Sequence, residues 1–200
     1  YYMKYRFFGD TDGLMQGIKI LSCRLGFTIS DDGMAVKLTK RKGNIEIISD
    51  GKTSEIRYED KIHFFRALGI LIEHQNEKIN IVEYVKFKKN GMMIDSSRNG
   101  VLKPQSIKNL MENMALMGLN FIMMYTEDTY EVPEYKYFGY MRGRYTYDEM
   151  HECDMYAEIF GIEMIPCIQT LAHLSKALKW DHNLKIRDTE DNLYVGEKDT

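Results

Sequence analysis

Residues 91–100 read GMMIDSSRNG. A short apolar run, Met92-Met93-Ile94, stops abruptly at Asp95-Ser96-Ser97-Arg98-Asn99-Gly100. The run reads as a buried strand and the polar residues as its C-terminal end. Downstream, Lys103-Pro104 opens a helix, with Pro at or near the first helical position, where its missing N–H costs nothing. Ile107, Leu110, Met114 and Met117 give that helix one apolar stripe, and Gly118 ends it. Phe121 to Tyr125, FIMMY, is apolar throughout and reads as a strand covered on both faces. A connection over 126–145, rich in Tyr, Glu and Arg, leads to Thr146-Tyr147-Asp148-Glu149, a T-x-x-E capping box. Met150, Ala157 and Phe160 face inward on the helix it starts, and Gly161 ends that helix. Residues 162–168, IEMIPCI, are a third strand. Strand and amphipathic helix alternate, so the strands are expected to be parallel with right-handed crossovers. An open doubly wound sheet and a (β/α)8 barrel both fit.

Upstream the pattern differs. The aromatic segment 1–12 is ambiguous, and 16–25 fits a strand or a short helix. Asp31-Asp32-Gly33, Gly43-Asn44 and Asp50-Gly51 are turn signals. Between them 34–38, 45–48 and 53–58 alternate apolar and polar residues, the signature of strands with one wet face. That reads as an antiparallel meander. Residues 59–74 switch to helical spacing, with Ile62, Phe65, Leu68 or Gly69 and Ile72 on one face, and this helix should cover the dry face of the sheet. His63 and His74 read as ordinary helical histidines. A last strand is expected over 79–87. The fold class is therefore α/β: residues 1–90 form a small α+β domain, an antiparallel sheet of about four strands with a covering helix. Residues 91–200 form strands and helices of a parallel α/β unit.

Composition narrows the function classes. The 200 residues are 44% hydrophobic and 28% charged, with a net charge of −3 and no basic tract, so a nucleic-acid partner is not expected. No apolar run approaches the roughly 20 residues of a membrane span, so no membrane partner is expected either. Cys23, Cys153 and Cys167 are few, odd in number and not in CxxC spacing. A reducing, cytoplasmic compartment fits them better than a disulfide scaffold.

In both candidate architectures, ligands bind beyond the carboxyl ends of the strands. Asp95, Ser96, Arg98 and Asn99 follow the first strand. Glu127, Asp128 and Glu131 follow the second, and Gln169, Thr170 and His173 the third. Three strand ends delivering polar groups to one face point to a polar-ligand site. Simpler roles compete: Asp95 or Ser96 as a turn cap, Arg98 as an ion-pair partner of Glu127 or Asp128, His173 as a brace. Glu127 and Asp128 are adjacent, and adjacent residues on an extended segment point oppositely. There is no Gly-rich phosphate loop, HExxH or GxSxG.

DSSRNG at 95–100, LNFIMMYTEDTYEVPEYKYFGYMRGRYT at 119–146 and IEMIPCIQTLAHL at 162–174 resemble the first three barrel strands of family 20 glycoside hydrolases. They are most similar to the bacterial β-N-acetylhexosaminidase branch that also resembles the animal hexosaminidase D group. DTEDNLYVGE at 188–197 continues the likeness, and residues 1–90 resemble the α+β domain that precedes the barrel. The resemblance implies a (β/α)8 TIM barrel, incomplete in this chain. It also implies retaining removal of terminal non-reducing N-acetyl-β-hexosamine from glycans or glycosides, with the substrate's 2-acetamido oxygen as nucleophile.

Within that resemblance Arg98 takes the place of the Arg that hydrogen-bonds the terminal sugar, and Asp128, His173 and Glu127 line the same pocket. The family's better-known members carry a His-Trp-His type segment where this chain has Tyr125-Thr126-Glu127-Asp128. The family's catalytic Asp-Glu pair sits after the fourth strand, so it is expected beyond residue 200. The pairs Glu127-Asp128, Asp148-Glu149 and Glu190-Asp191 do not match it in order or place. A barrel needs roughly 250 residues, so the chain is expected to be the first portion of a longer enzyme, poorly soluble and inactive alone. No metal or cofactor is expected. The rival readings are a metal-dependent sugar or amide barrel enzyme using Glu127, Asp128 and His173 as ligands, and a sugar-binding barrel without catalysis.

Overall fold

In a computed structural model, the structure describes residues 3–98 and 100–187. Asn99, the segment 188–197 and the pair Glu190-Asp191 therefore lie outside the described residues. Two sheets enclose two pairs of helices. The first sheet contains β1 (Met3–Gly9), β2 (Phe27–Ile29), β3 (Met34–Lys40), β4 (Ile45–Asp50), β5 (Thr53–Tyr58) and β6 (Lys78–Glu83), in the order β2-β1-β3-β5-β4-β6. Helices α1 (Met15–Leu25) and α2 (Lys61–Glu73) cover its dry face. The second sheet is parallel, β7 (Gly91–Asp95), β8 (Phe121–Tyr125) and β9 (Glu163–Cys167), linked by α3 (Pro104–Met117) and α4 (Tyr147–Phe160).

The sequence places the alternating strands correctly but not their neighbours. The first sheet is mixed, not an antiparallel meander. β1 pairs in parallel with both β2 and β3, and β3 pairs in parallel with β5, while β4 is antiparallel to β5 and β6. Alternation specifies which face is dry: Val36, Leu38, Ile45, Ile47, Ile56 and Tyr58 are all buried. It does not specify which strand lies alongside. Of the two internal turns only Asp50-Gly51 closes a hairpin. There Asp50 Oδ1 accepts from the backbone N–H groups of Lys52 (2.8 Å) and Thr53 (2.7 Å). Gly43-Asn44 instead carries the chain past β5, with Gly43 N–H donating to the Glu59 carboxylate at 3.0 Å. Six strands and two helices replace the expected four and one, because 16–25 is a helix and both the aromatic start and Phe27–Ile29 are strands. The last strand stops at Glu83, and Tyr84 and Phe87 beyond it are exposed.

The two halves share one core. Phe65 of α2 meets Phe160 of α4 edge-on at 5.0 Å between ring centroids. Gly17 is glycine because a Cβ there would lie 2.3 Å from the Phe65 ring, so α1 can seat against α2 only without a side chain. Polar bonds frame the apolar contact. Lys61 Nζ donates to the Glu158 carbonyl at 2.8 Å, Arg66 to the Leu116 carbonyl at 3.2 Å, and Arg24 to Glu112 at 3.0 Å. The first two satisfy carbonyls in the last turns of α4 and α3, where free carbonyls favour cations, and Arg24 ties α1 to the middle of α3.

The helix boundaries of the second half follow their signals. Pro104 stands at the start of α3, and Gly118 and Gly161 adopt left-handed geometry at the ends of α3 and α4. The Thr146–Glu149 capping box is formed. Two expectations differ. On α3 the buried residues are Ile107, Met111, Met114 and Ala115, while Met117 is exposed. On β8 only Ile122 and Met124 are fully buried, packed toward the helices. The opposite face, where Met93, Met123 and Ile165 pair in register, is open at Met93. Among the described residues no helix is long and apolar enough to cross a membrane.

Candidate functional site

The strand register fixes the site. Asp95, Tyr125 and Cys167 are level across β7, β8 and β9, so their following loops leave the sheet along one edge. Asp95 turns the chain: its Oδ1 accepts from Ser97 Oγ (2.6 Å), Ser97 N–H (2.9 Å) and Arg98 N–H (3.3 Å). The same carboxylate grips Arg98, whose Nη1 donates to Asp95 Oδ2 at 2.8 Å. The turn-capping role weighed for Asp95 is thus filled, and Arg98 gains a partner not expected from the sequence, Asp95.

Arg98 reaches across to the next strand. Its Nη2 donates to the Tyr125 hydroxyl at 3.1 Å and stands 3.3 Å from Glu127 Oε1, and its guanidinium carbon lies 5.1 Å from the Tyr125 ring centroid. Asp95, Glu127 and the ring fix the guanidinium plane from three sides, yet the side chain is 58% exposed. Nη1 is engaged by Asp95 and Nη2 by Tyr125 and Glu127, and each carries a second N–H, so the exposed guanidinium can still donate to neighbouring hydroxyls or a carboxylate.

Hydrogen bonds from Ser97 first, then from Arg98, pull the Asp95 carboxyl down to about 2. Its folded value lies below the ordinary carboxylate value of about 3.9. Asp95 therefore contributes stability that is fully present above pH ~4 and lost as pH falls through about 2. Asp95→Asn should lower stability at pH 6, with the difference much smaller at pH 2. Denaturant unfolding at both pH values checks this; a deficit equally large at both would remove the ionic role of Asp95.

The loop after β8 holds the second half of the site. Glu127 adopts a left-handed backbone conformation, φ 49°, as does His173 after β9, φ 61°. Non-glycine residues rarely adopt this geometry, and its strain of order 1–3 kcal/mol concentrates at functional loops. At Glu127 it also overturns the expectation that adjacent carboxylates diverge. The twist brings both to one guanidinium: Arg142 Nε lies 3.2 Å from Asp128 Oδ1, and Arg142 Nη2 lies 3.7 Å from Glu127 Oε2. Arg142 also donates to the Ser97 carbonyl at 2.6 Å, tying the loop to the end of β7.

Glu127 N–H donates to Gln169 Oε1 at 2.7 Å, and His173 Nδ1 lies 4.0 Å from Glu127 Oε1. Glu127 is thus the hub, touched from all three strand ends. Asp128, expected to line the pocket, is 1% exposed and lies beneath the mouth, with Oδ2 buried and unpartnered.

The other sequence candidates divide. Gln169 joins the site through Glu127. Ser96 is buried, its N–H bonded to the Tyr125 carbonyl and its own carbonyl accepting from Thr129. Glu131 belongs elsewhere: its Oε1 accepts from Tyr147 N–H at 2.9 Å, so it caps α4 on the helical side of the sheet. Thr170 is exposed. Arg142, Tyr125 and Ser97 were not singled out from sequence, and only the Arg-rich character of 126–145 hinted at the first. Glu127, Asp128 and His173 do not form the metal site of the rival reading. Among the described residues no group of three or more His, Cys, Asp or Glu is arranged to hold a metal, and Glu127 and Asp128 are already turned to guanidinium groups.

No family model matches the chain. It is 25% identical, over 189 residues of alignment, to the probable beta-hexosaminidase fdl of Drosophila melanogaster, covering 86% of this chain and 28% of that protein. It is similar in structure to the GH20 exo beta-N-acetylglucosaminidase of Vibrio harveyi solved with N-acetylglucosamine. There the TM-score is 0.72 at 16% identity, covering 89% of this chain and 35% of that one. The GH20 beta-N-acetylhexosaminidase of Streptomyces coelicolor A3(2) gives 0.71 at 16% identity, covering 88% and 44%. The fold is therefore that of the GH20 enzymes: an α+β layer followed by the first three strands of a (β/α)8 barrel. The chain spans under half the length of each of these proteins.

Proposed function

We propose that this chain forms the sugar-gripping first part of a β-N-acetylhexosaminidase, a glycoside hydrolase that releases terminal non-reducing N-acetyl-β-hexosamine. The observation that carries the proposal is the Arg98 guanidinium, braced by Asp95, Tyr125 and Glu127 at the carboxyl ends of two adjacent barrel strands on a side chain that stays 58% exposed. Such a fork suits a pair of vicinal sugar hydroxyls. Glu127 and His173 flank it; Asp128 supports Glu127 through Arg142. The GH20 fold and the resemblance at 95–100, 119–146 and 162–174 support the same reading. Hydrolysis would proceed with retention, the acetamido oxygen of the substrate attacking the anomeric carbon in place of an enzyme nucleophile. No residue of this chain is assigned to bond breaking.

The test is hydrolysis by the complete barrel enzyme of 4-nitrophenyl glycosides of N-acetyl-β-glucosamine, N-acetyl-α-glucosamine and β-glucose. Release from the first alone is expected, unchanged by a chelator. Equal release from the β-glucoside would contradict the acetamido requirement, and loss of activity on chelation would revive the metal enzyme.

A further inference from the structure

Beyond Arg142 the same loop carries aromatic rings that the terminal-sugar site does not use. Tyr137 and Tyr140 lie edge to face at 5.4 Å between centroids. Both are backed by Trp180, from the segment after β9, at 6.4 Å and 5.5 Å, and Tyr137 also meets His182 at 5.1 Å. Lys179 Nζ covers one face of Trp180 at 4.7 Å, so the indole acts as a buttress. The two tyrosines stay 40% and 45% exposed.

Their position is fixed against the site. Gly139, between them, packs on the Asp128 carbonyl so closely that a Cβ would lie 2.3 Å from it, and its φ is +68°. Buried Phe138 anchors the loop on Tyr130 at 5.1 Å, and Arg142 ties its other end to Ser97 and Asp128. The two half-exposed rings thus sit on a loop segment that Gly139 and Arg142 fasten to Asp128 and to Ser97, the residue before Arg98. Ordering such rings in advance removes an entropy cost that binding would otherwise carry.

We infer that Tyr137 and Tyr140 form a carbohydrate platform for the sugar rings that follow the terminal residue, so that the natural substrate is a β-linked oligosaccharide and not a small glycoside. The inference rests on the hydrolase reading and extends it. A β-linked pyranose with equatorial substituents presents a flat face of axial C–H groups, which an aromatic ring buries, while the tyrosine hydroxyls stay hydrated or meet sugar hydroxyls.

The experiment measures, by calorimetry on the complete enzyme, binding of N-acetylglucosamine and of a thio-linked N-acetylchitotriose that resists cleavage. Wild type should bind the trisaccharide at least 10-fold more tightly than the monosaccharide. Tyr137→Leu and Tyr140→Leu should erase most of that gain and change monosaccharide affinity less than 2-fold; Tyr140→Phe should retain it. Leucine leaves an apolar side chain beside Trp180, and an unchanged unfolding midpoint checks the fold. Equal wild-type affinity for the two sugars, or leucine variants that weaken both sugars alike or neither, would overturn the platform. Failure of wild type to hydrolyse the aryl glycoside would instead reject the hydrolase reading, and the platform would then stand or fall on the binding difference.

Discussion

Arg98→Ala should lower kcat/KM of the complete enzyme on an aryl N-acetyl-β-glucosaminide by about 10³-fold. A charge-assisted hydrogen bond contributes roughly 1.5–3 kcal/mol, two to neighbouring hydroxyls give roughly 3–6 kcal/mol, and each 1.4 kcal/mol is tenfold in rate. Stability should barely change. The side chain is 58% exposed, exposed ion pairs contribute about 0–1 kcal/mol, and Asp95 keeps its bonds from Ser97. Arg98→Lys should rescue little, because an ammonium cannot reproduce a planar fork held between Asp95 and Tyr125. Steady-state kinetics with a parallel unfolding curve separate these effects. A variant with wild-type kcat/KM would remove Arg98 from the sugar site.

Arg142→Ala should act on the loop itself. Its guanidinium serves Asp128, Glu127 and the Ser97 carbonyl together. Removing it leaves the Asp128 carboxylate, with a side chain 2% exposed, without a counter-charge. Breaking a buried pair from one side costs roughly 3–5 kcal/mol. Asp128→Asn in the same background removes the orphaned charge and should restore part of that loss, whereas independent sites would simply add. Denaturant unfolding of the two single variants and the double variant measures the coupling. A loss below about 1 kcal/mol for Arg142→Ala would mean that water reaches Asp128 and the loop is not held as described.

The second half of the chain was legible because local signals and tertiary structure agree there. Pro104, Gly118, the Thr146–Glu149 box and Gly161 each punctuate a change of period, and the three apolar runs between them are the three strands. Parallel strands joined by helices leave little topological choice. The first half offered no such constraint. Its alternation identified the dry face of β3, β4 and β5 but carried no information on the insertion of β5 between β3 and β4, which depends on a crossover through Gly43. At the site, residues leaving the strand ends directly, Asp95, Arg98 and Glu127, were within reach of the strand-end rule. Arg142 was not: it returns from the far end of a long loop by side-chain reach alone. Glu131 failed for the converse reason, since that loop turns back and delivers it to the cap of α4. The divergence expected of Glu127 and Asp128 failed at one torsion, the φ of 49° at Glu127.

A crystal structure of the complete enzyme with N-acetylglucosamine tests the central claim most directly. The terminal sugar should lie at the carboxyl ends of β7 and β8, with two of its hydroxyls within hydrogen-bond distance of the Arg98 guanidinium and Glu127 and His173 flanking the ring. A sugar bound elsewhere, with Arg98 engaged only by Asp95, Tyr125 and Glu127, would contradict the account.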